Sequence, residues 1–458
     1  MFVGRNFEIE QLNGFYEGDM CDVAVVTGSI GVGKSTLLRH YSSDKKTFYY
    51  EAYETTMKHQ LAMMGKCFGL EDCKDGAAIL DAVTREAESG KVLFVIDQYP
   101  NIVKSDSAFN KLLHEYVMDK WAALPVKLVL CGDAFVLMDK YVKDKKAVWS
   151  DCIALDLCVK PMGFYEAYPF FEDKSPEECA FLYGITGGIP HNLAKIRDCA
   201  DIRSATELLF LNKEIACGLN PETVMATELR ELSYYNHMLL TLAQGLNRVN
   251  QISAEVEKPK DVVVPYLNSL MAIGVCTKDT AITETNNRKK TRYSIVNSST
   301  LFWYKYIVPN MDKLNAKDTD GLWQIIEESM AEYMQEVFIR ICREFLETKS
   351  EKGELPFVIE ETGNWWVNDD EAGTTDGFDL VSLGKCDGKS ATIFCQCYYN
   401  TQAIEVAQLK ALIEKTKQLK RQGDVFYLVF SKSGFNENAI TISSAIKNIQ
   451  LFTLDEML

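Results

Sequence analysis

No run of about 20 apolar residues is present, so the chain lacks the length of hydrophobic sequence that a membrane-spanning helix needs. Its longest aliphatic stretches, residues 92–96 and 127–131, are strand-sized. The start Met1-Phe-Val-Gly-Arg5 has neither the basic region nor the apolar core of a secretory signal. Histidine is scarce, five in 458 residues, and dispersed. Among 14 cysteines there is no Cys-x-x-Cys pair; Cys395-Gln-Cys397 is the closest spacing and has none of the companions of a zinc site. The thiols are therefore expected to be reduced, in a cytoplasmic protein with no membrane association. Positive charge is also in deficit. Lys+Arg number 49 against 65 Asp+Glu, a net −16, which argues against a surface that clings broadly to nucleic acid or anionic lipid. Repeats and low-complexity tracts are missing too.

What is present is the composition of a folded protein, 47% hydrophobic and 25% charged, with length for about three domains. Residues 1–160 alternate apolar strand-like runs (22–27, 47–52, 91–96, 126–131, 153–157) with helical patterns. Such alternation predicts an α/β fold with a parallel-sheet core. Residues 161–220 read as helical, broken at Gly187-Gly188-Ile189-Pro190. Residues 221–300 read as three helices and a polar β-ribbon, and 301–320 as a linker. Residues 321–458 read as a long helix, three strands, a helix, a strand, a helix and a strand.

The segment Gly28-Ser-Ile-Gly31-Val-Gly33-Lys34-Ser35-Thr36 fits G-x-x-x-x-G-K-[ST] between a strand and a helix. The glycines let backbone N–H groups curl around a phosphate, and the helix N-terminus adds positive potential. Lys34 is expected on the β- and γ-phosphates and Ser35 on Mg²⁺. The run Val92-Leu-Phe-Val-Ile-Asp97-Gln98 ends in a carboxylate suited to the Mg²⁺ shell. ATP or ADP with Mg²⁺ is the expected cofactor.

These motifs, with Phe2-Val-Gly4-Arg5-Asn-Phe-Glu8, Val129-Leu-Cys131-Gly132, Gly187-Gly188-Ile-Pro190, Phe302-Trp-Tyr-Lys-Tyr, Trp365-Trp366 and Phe378-Asp379, resemble the archaeal and bacterial AAA-type P-loop ATPases of the STAND class. The resemblance implies an ATPase core, a helical lid, a winged helix and a C-terminal domain like the PD-(D/E)xK nucleases. It implies roles near nucleotide for Gly4, Arg5 and Pro190, although Gly188-Ile189-Pro190 also reads as a plain helix-joining turn. Three departures remove hydrolytic groups. Gln98 stands where the family has a glutamate base, and an amide takes no proton. Asp133-Ala134 replaces a Ser-Ser sensor, and Trp149-Ser150-Asp151 lacks the usual arginine. Losing a base or such an arginine costs on the order of 10²–10⁵ in rate. The expectation is nucleotide binding with weak or no hydrolysis, unless Asp133, Glu51 or a group in trans substitutes.

Residues 221–300 carry nine basic and eight acidic side chains, a net +1 that leaves −17 for the rest. Their pattern resembles a DNA-reading winged helix, with Lys260 opening the recognition helix and Arg288, Lys289, Lys290 and Arg292 on the wing. The alternative is a packing module with a solvated hairpin, its partner a protein or a second copy. In the last domain Asp379 fits the first acid of a nuclease site. Gln396 and Tyr398 stand where the second acid and the lysine belong, so a nuclease-like fold without activity is expected. Glu336 or Glu344 is a candidate leftover ligand.

Overall fold

The computed structural model describes residues 2–133, 135–171, 173–212, 216, 218–282, 291–369, 374–416 and 423–458. The chain divides into two compact units.

The first unit holds residues 1–162, 189–191 and 222–230. Its sheet comprises β1 (Asp22–Thr27), β2 (Thr47–Glu51), β3 (Val92–Asp97), β4 (Val126–Gly132) and β5 (Ile153–Cys158), in the order β2-β3-β4-β1-β5. Every pairing is parallel. Strands buried on both faces need apolar residues at successive positions, which is what the runs supply. Val23 and Val25 enter one core with Phe94, Ile96, Leu128 and Trp149. Ala24 and Val26 enter the opposite core with Leu12, Leu37, Val95 and Val129. Strand order places the tips of β3, β4 and β1 side by side. The loop after β1 and the helix Lys34–Tyr41 leave from that edge.

The second unit holds residues 163–188, 192–221 and 231–458. It contains helices Leu232–Ala243, Val249–Glu255 and Lys260–Ala272, then an antiparallel ribbon of β6 (Cys276–Thr280) and β7 (Thr291–Ile295). A second sheet follows, formed by β8 (Ile359–Asp369), β9 (Thr374–Cys386), β10 (Lys389–Tyr398), β11 (Asp424–Ser431) and β12 (Ile449–Thr453). The order is β12-β11-β10-β9-β8, antiparallel among β8, β9 and β10 and parallel from β10 to β12.

Two readings of the sequence need correction. Residues 301–320 are not a linker. Helical turns run through Trp303–Ile307 and Val308–Asn310, Met311–Ala316 is a helix, and Thr319–Glu351 begins just beyond it. Asp318 caps the long helix: its carboxylate accepts from the Gly321 N–H (2.9 Å) and pairs with Lys313. Nor do 161–220, 221–300 and 321–458 stand as separate bodies. Their described residues outside 161–162, 189–191 and 222–230 pack into one unit. Within it, Tyr333 and Val337 of the long helix press on Gly184, and the Asn297 amide donates to the Gly187 carbonyl (2.8 Å). The Gln335 amide spans the Cys397 carbonyl and the Tyr399 N–H, 2.9 Å each.

Candidate functional site

The phosphate loop takes the backbone its glycines permit. Gly28, Gly31 and Gly33 have φ of 156°, 84° and 91°. A Cβ on Gly28 would press into the Val159 carbonyl, so only glycine lets the loop lie this close to the chain after β5. Lys34 is 5% exposed; its ammonium donates to the Gly28 and Ser29 carbonyls, both at 2.9 Å. Ser35 is half-buried and Thr36 exposed at the start of the helix.

Arg5 is 3% exposed and braces this loop from behind. It donates to the Val32 carbonyl (2.7 Å), the Lys160 carbonyl (2.8 Å) and the Glu8 carboxylate (2.9 Å). Gly4 and Arg5 both have positive φ, which turns the chain into the first helix, Asn6–Glu17. Pro190 lies against Gly33, 3.8 Å from where a Cβ would stand, and the His191 N–H donates to the Gly31 carbonyl (3.2 Å).

At the tip of β3, Asp97 is fully buried. Its carboxylate accepts from the Tyr49 hydroxyl (2.6 Å) and from the Gln98 N–H (2.9 Å). Burial and then the Asp97 charge push the Tyr49 hydroxyl far above its ordinary range. The same two causes, in that order, raise the Cys131 thiol. Gln98 adopts φ 55°, and its side-chain amide donates to Asp133, just past β4. The same Asp133 oxygen is 3.7 Å from Lys34 Nζ. Asp133 is therefore an acidic side chain that meets both Lys34 and Gln98. Glu51 instead pairs with Arg39 (2.7 Å), both about half exposed. Ala134 lies outside the described residues. Trp149 is buried in the core, its ring N–H on Asn110 (2.7 Å).

Two participants carry no sequence signal. Tyr49 looks like any strand aromatic. Lys143 pairs with Asp156 (2.7 Å) and stands 3.5 Å from the Thr27 hydroxyl at the tip of β1. Among the described residues no cluster of three or more His, Cys, Asp or Glu is placed to hold a metal ion. A magnesium site made by Ser35, Asp97 and bound phosphates needs no such cluster.

In the second unit, Arg292 is the expected wing residue that lies among the described residues. Arg288, Lys289 and Lys290 lie outside the described residues. Arg292 stacks on the Trp366 ring, 4.4 Å to its centre, and burial followed by the charge of Arg248 pushes its guanidinium down to about 10. Ala281 and Ile282, just after β6, join the core around Trp365, Trp366 and Phe378. Arg292 thus packs against an aromatic ring of the same unit. Lys260 is exposed at the first turn of its helix.

Asp379 lies on β9 beside Gln396 on β10. Its carboxylate accepts from the Gln396 amide (2.5 Å) and the Cys397 N–H (2.8 Å). Burial first, then the charge of Glu336, pushes it up to about 6, against those two hydrogen bonds and the nearby Lys415. Tyr398 is adjacent, its hydroxyl raised to about 12 by burial and then by Asp379. Glu344 is not a leftover ligand. It caps Phe164 and Tyr165 through their N–H groups, at 2.6 and 3.1 Å.

Comparison with known proteins gives three findings. Residues 303–411 match the DUF234 family, described as archaea bacterial proteins of unknown function. An uncharacterized protein of Methanocaldococcus jannaschii is 26% identical over 399 residues, covering 85% of this chain and 86% of that protein. Among solved structures, the Walker-type ATPase paby2304 of Pyrococcus abyssi aligns with a TM-score of 0.54 at 18% identity, covering 66% of this chain and 96% of its own. The last likeness is one of fold: an α/β architecture on a parallel-sheet core of the P-loop ATPase kind. No helix among the described residues is long and apolar enough to cross a membrane.

Proposed function

We propose that this chain is a nucleotide-binding switch of the STAND type that holds ATP or ADP with Mg²⁺ and hydrolyses it weakly or not at all. One observation carries the reading. Lys34 is a buried cation whose ammonium rests on the carbonyls of a loop opened by three positive-φ glycines. A phosphate is the natural counter-charge for such a group at a helix N-terminus. The loop N–H groups and Lys34 would hold phosphates, Ser35 and Asp97 would hold Mg²⁺, and Pro190 would report occupancy from its seat on Gly33. When bound, Mg²⁺ screens phosphate charge. Gln98 cannot take a proton from water, which supports binding over turnover.

Titration with a fluorescent nucleotide and Mg²⁺ tests the reading. Saturable binding is expected, weakened at least about tenfold by Lys34→Ala. Equal binding by both proteins overturns it. A second reading, an ATPase whose carboxylate comes from Asp133, is favoured by the Gln98–Asp133 hydrogen bond. Steady phosphate release by the wild type would support that reading.

The three helices and ribbon of residues 232–295 read as a winged helix. Its stacked Arg292 favours an internal packing role over DNA contact, and among the described candidates Lys260 is exposed. The sheet β8–β12 reads as a nuclease-like domain without activity, because Gln396 and Tyr398 stand where the second acid and the lysine belong. A protein partner or a second copy is the counterpart such a switch would act on.

A further inference from the structure

We propose that Asp133 makes this site selective for a nucleoside diphosphate over the corresponding triphosphate. The inference rests on the nucleotide-binding reading and deepens it. β3 and β4 are sheet neighbours, so their tips deliver Gln98 and Asp133 to the same edge as the phosphate loop. One Asp133 oxygen accepts from the Gln98 amide and lies 3.7 Å from Lys34 Nζ. A phosphate-loop lysine meets the β- and γ-phosphates. A carboxylate one contact beyond that ammonium therefore faces the end of the phosphate chain.

A diphosphate stops short of this carboxylate. A triphosphate brings further negative charge against it. The Gln98 amide offers no charge to offset the repulsion, and its donor is already turned to Asp133. Lys143, a cation beside the tip of β1, is paired with Asp156. Asp133 is 21% exposed, so solvent screens part of the effect. Like charges in close approach still shift an equilibrium by about tenfold.

The test is equilibrium titration of the full chain with ADP and with the non-hydrolysable β,γ-imido analogue of ATP, each with Mg²⁺. Wild type is compared with Asp133→Asn, which keeps the side-chain shape and an oxygen for the Gln98 amide. The wild type is expected to bind ADP about tenfold more tightly than the analogue. Asp133→Asn is expected to bring the two within about threefold by gaining affinity for the analogue, leaving ADP nearly unchanged. Should Asp133→Asn fail to fold, Asp133→Ser provides the same comparison. Equal wild-type affinities, or a variant that binds the triphosphate analogue more weakly, overturn the proposal. Saturable binding that Lys34→Ala abolishes, without ADP preference, overturns the selectivity alone. No saturable binding of either nucleotide overturns the nucleotide reading and the selectivity together.

Discussion

Arg5 occupies a left-handed backbone conformation, φ 67°, and spends its guanidinium on two carbonyls and the Glu8 carboxylate. Removing it strands a nearly buried carboxylate and two main-chain acceptors. Arg5→Ala is expected to destabilise the first unit by about 3 kcal/mol, the usual cost of breaking a buried pair from one side. Urea denaturation followed by a core tryptophan, Trp121 or Trp149, checks it, and a change under about 1 kcal/mol would contradict the bracing role. At this scale the sequence told two kinds of story. Gly28, Gly33 and Lys34 were legible because phosphate-loop chemistry fixes residue types at fixed spacing. The tasks of Arg5 and Asp133 were not, because their partners (Val32, Lys160, Gln98) come together only once the sheet is built. Asp133 read as a missing sensor hydroxyl, whereas folding turns it into a charge facing Lys34.

Elements carry a different lesson. The five strands of the first sheet were readable because each is an unbroken apolar run, as two-sided burial demands. The ribbon β6–β7 was legible as an element but not as an interface. Only the fold brings Ile282 into contact with Gly363 and Arg292 onto Trp366. Residues 301–320 misled because a polar run looks like loop composition. The β9–β10 pair makes a testable case. Asp379 is raised to about 6 in the folded chain, against an ordinary value near 4. A carboxyl with a raised folded value binds its proton more readily when folded. Its contribution is thus full below about pH 4 and is lost as pH rises through about 6, a difference of up to about 3 kcal/mol. Asp379→Asn keeps an oxygen for the Gln396 and Cys397 donors and has no proton to lose. Between pH 4 and 7 the stability of wild type minus variant should therefore fall as pH rises. Denaturation midpoints measured across that range check it, and parallel curves would refute the assignment.

Across the whole molecule, the sequence suggested a nucleotide core ending near residue 160, and the strand pattern does end there. The compact unit does not. It also takes in residues 189–191, which set Pro190 against Gly33, and 222–230, whose Glu228 accepts from the Val136 N–H (3.1 Å). The backbone passes from one unit to the other at five places, after Met162, Gly188, His191, Pro221 and Arg230. A fragment of residues 1–162 should hence bind nucleotide at least about threefold more weakly than the full chain, by the same titration. A fragment of residues 1–230, which restores both returning segments, should recover the difference. Wiring of this kind has a genetic meaning. One recombination event that lifts out the phosphate loop and its strands as residues 1–162 leaves the returning segments 189–191 and 222–230 behind. The shortest contiguous stretch that keeps the whole first unit is the first 230 codons, and those already contain the helical segments 163–188 and 192–221 of the other unit.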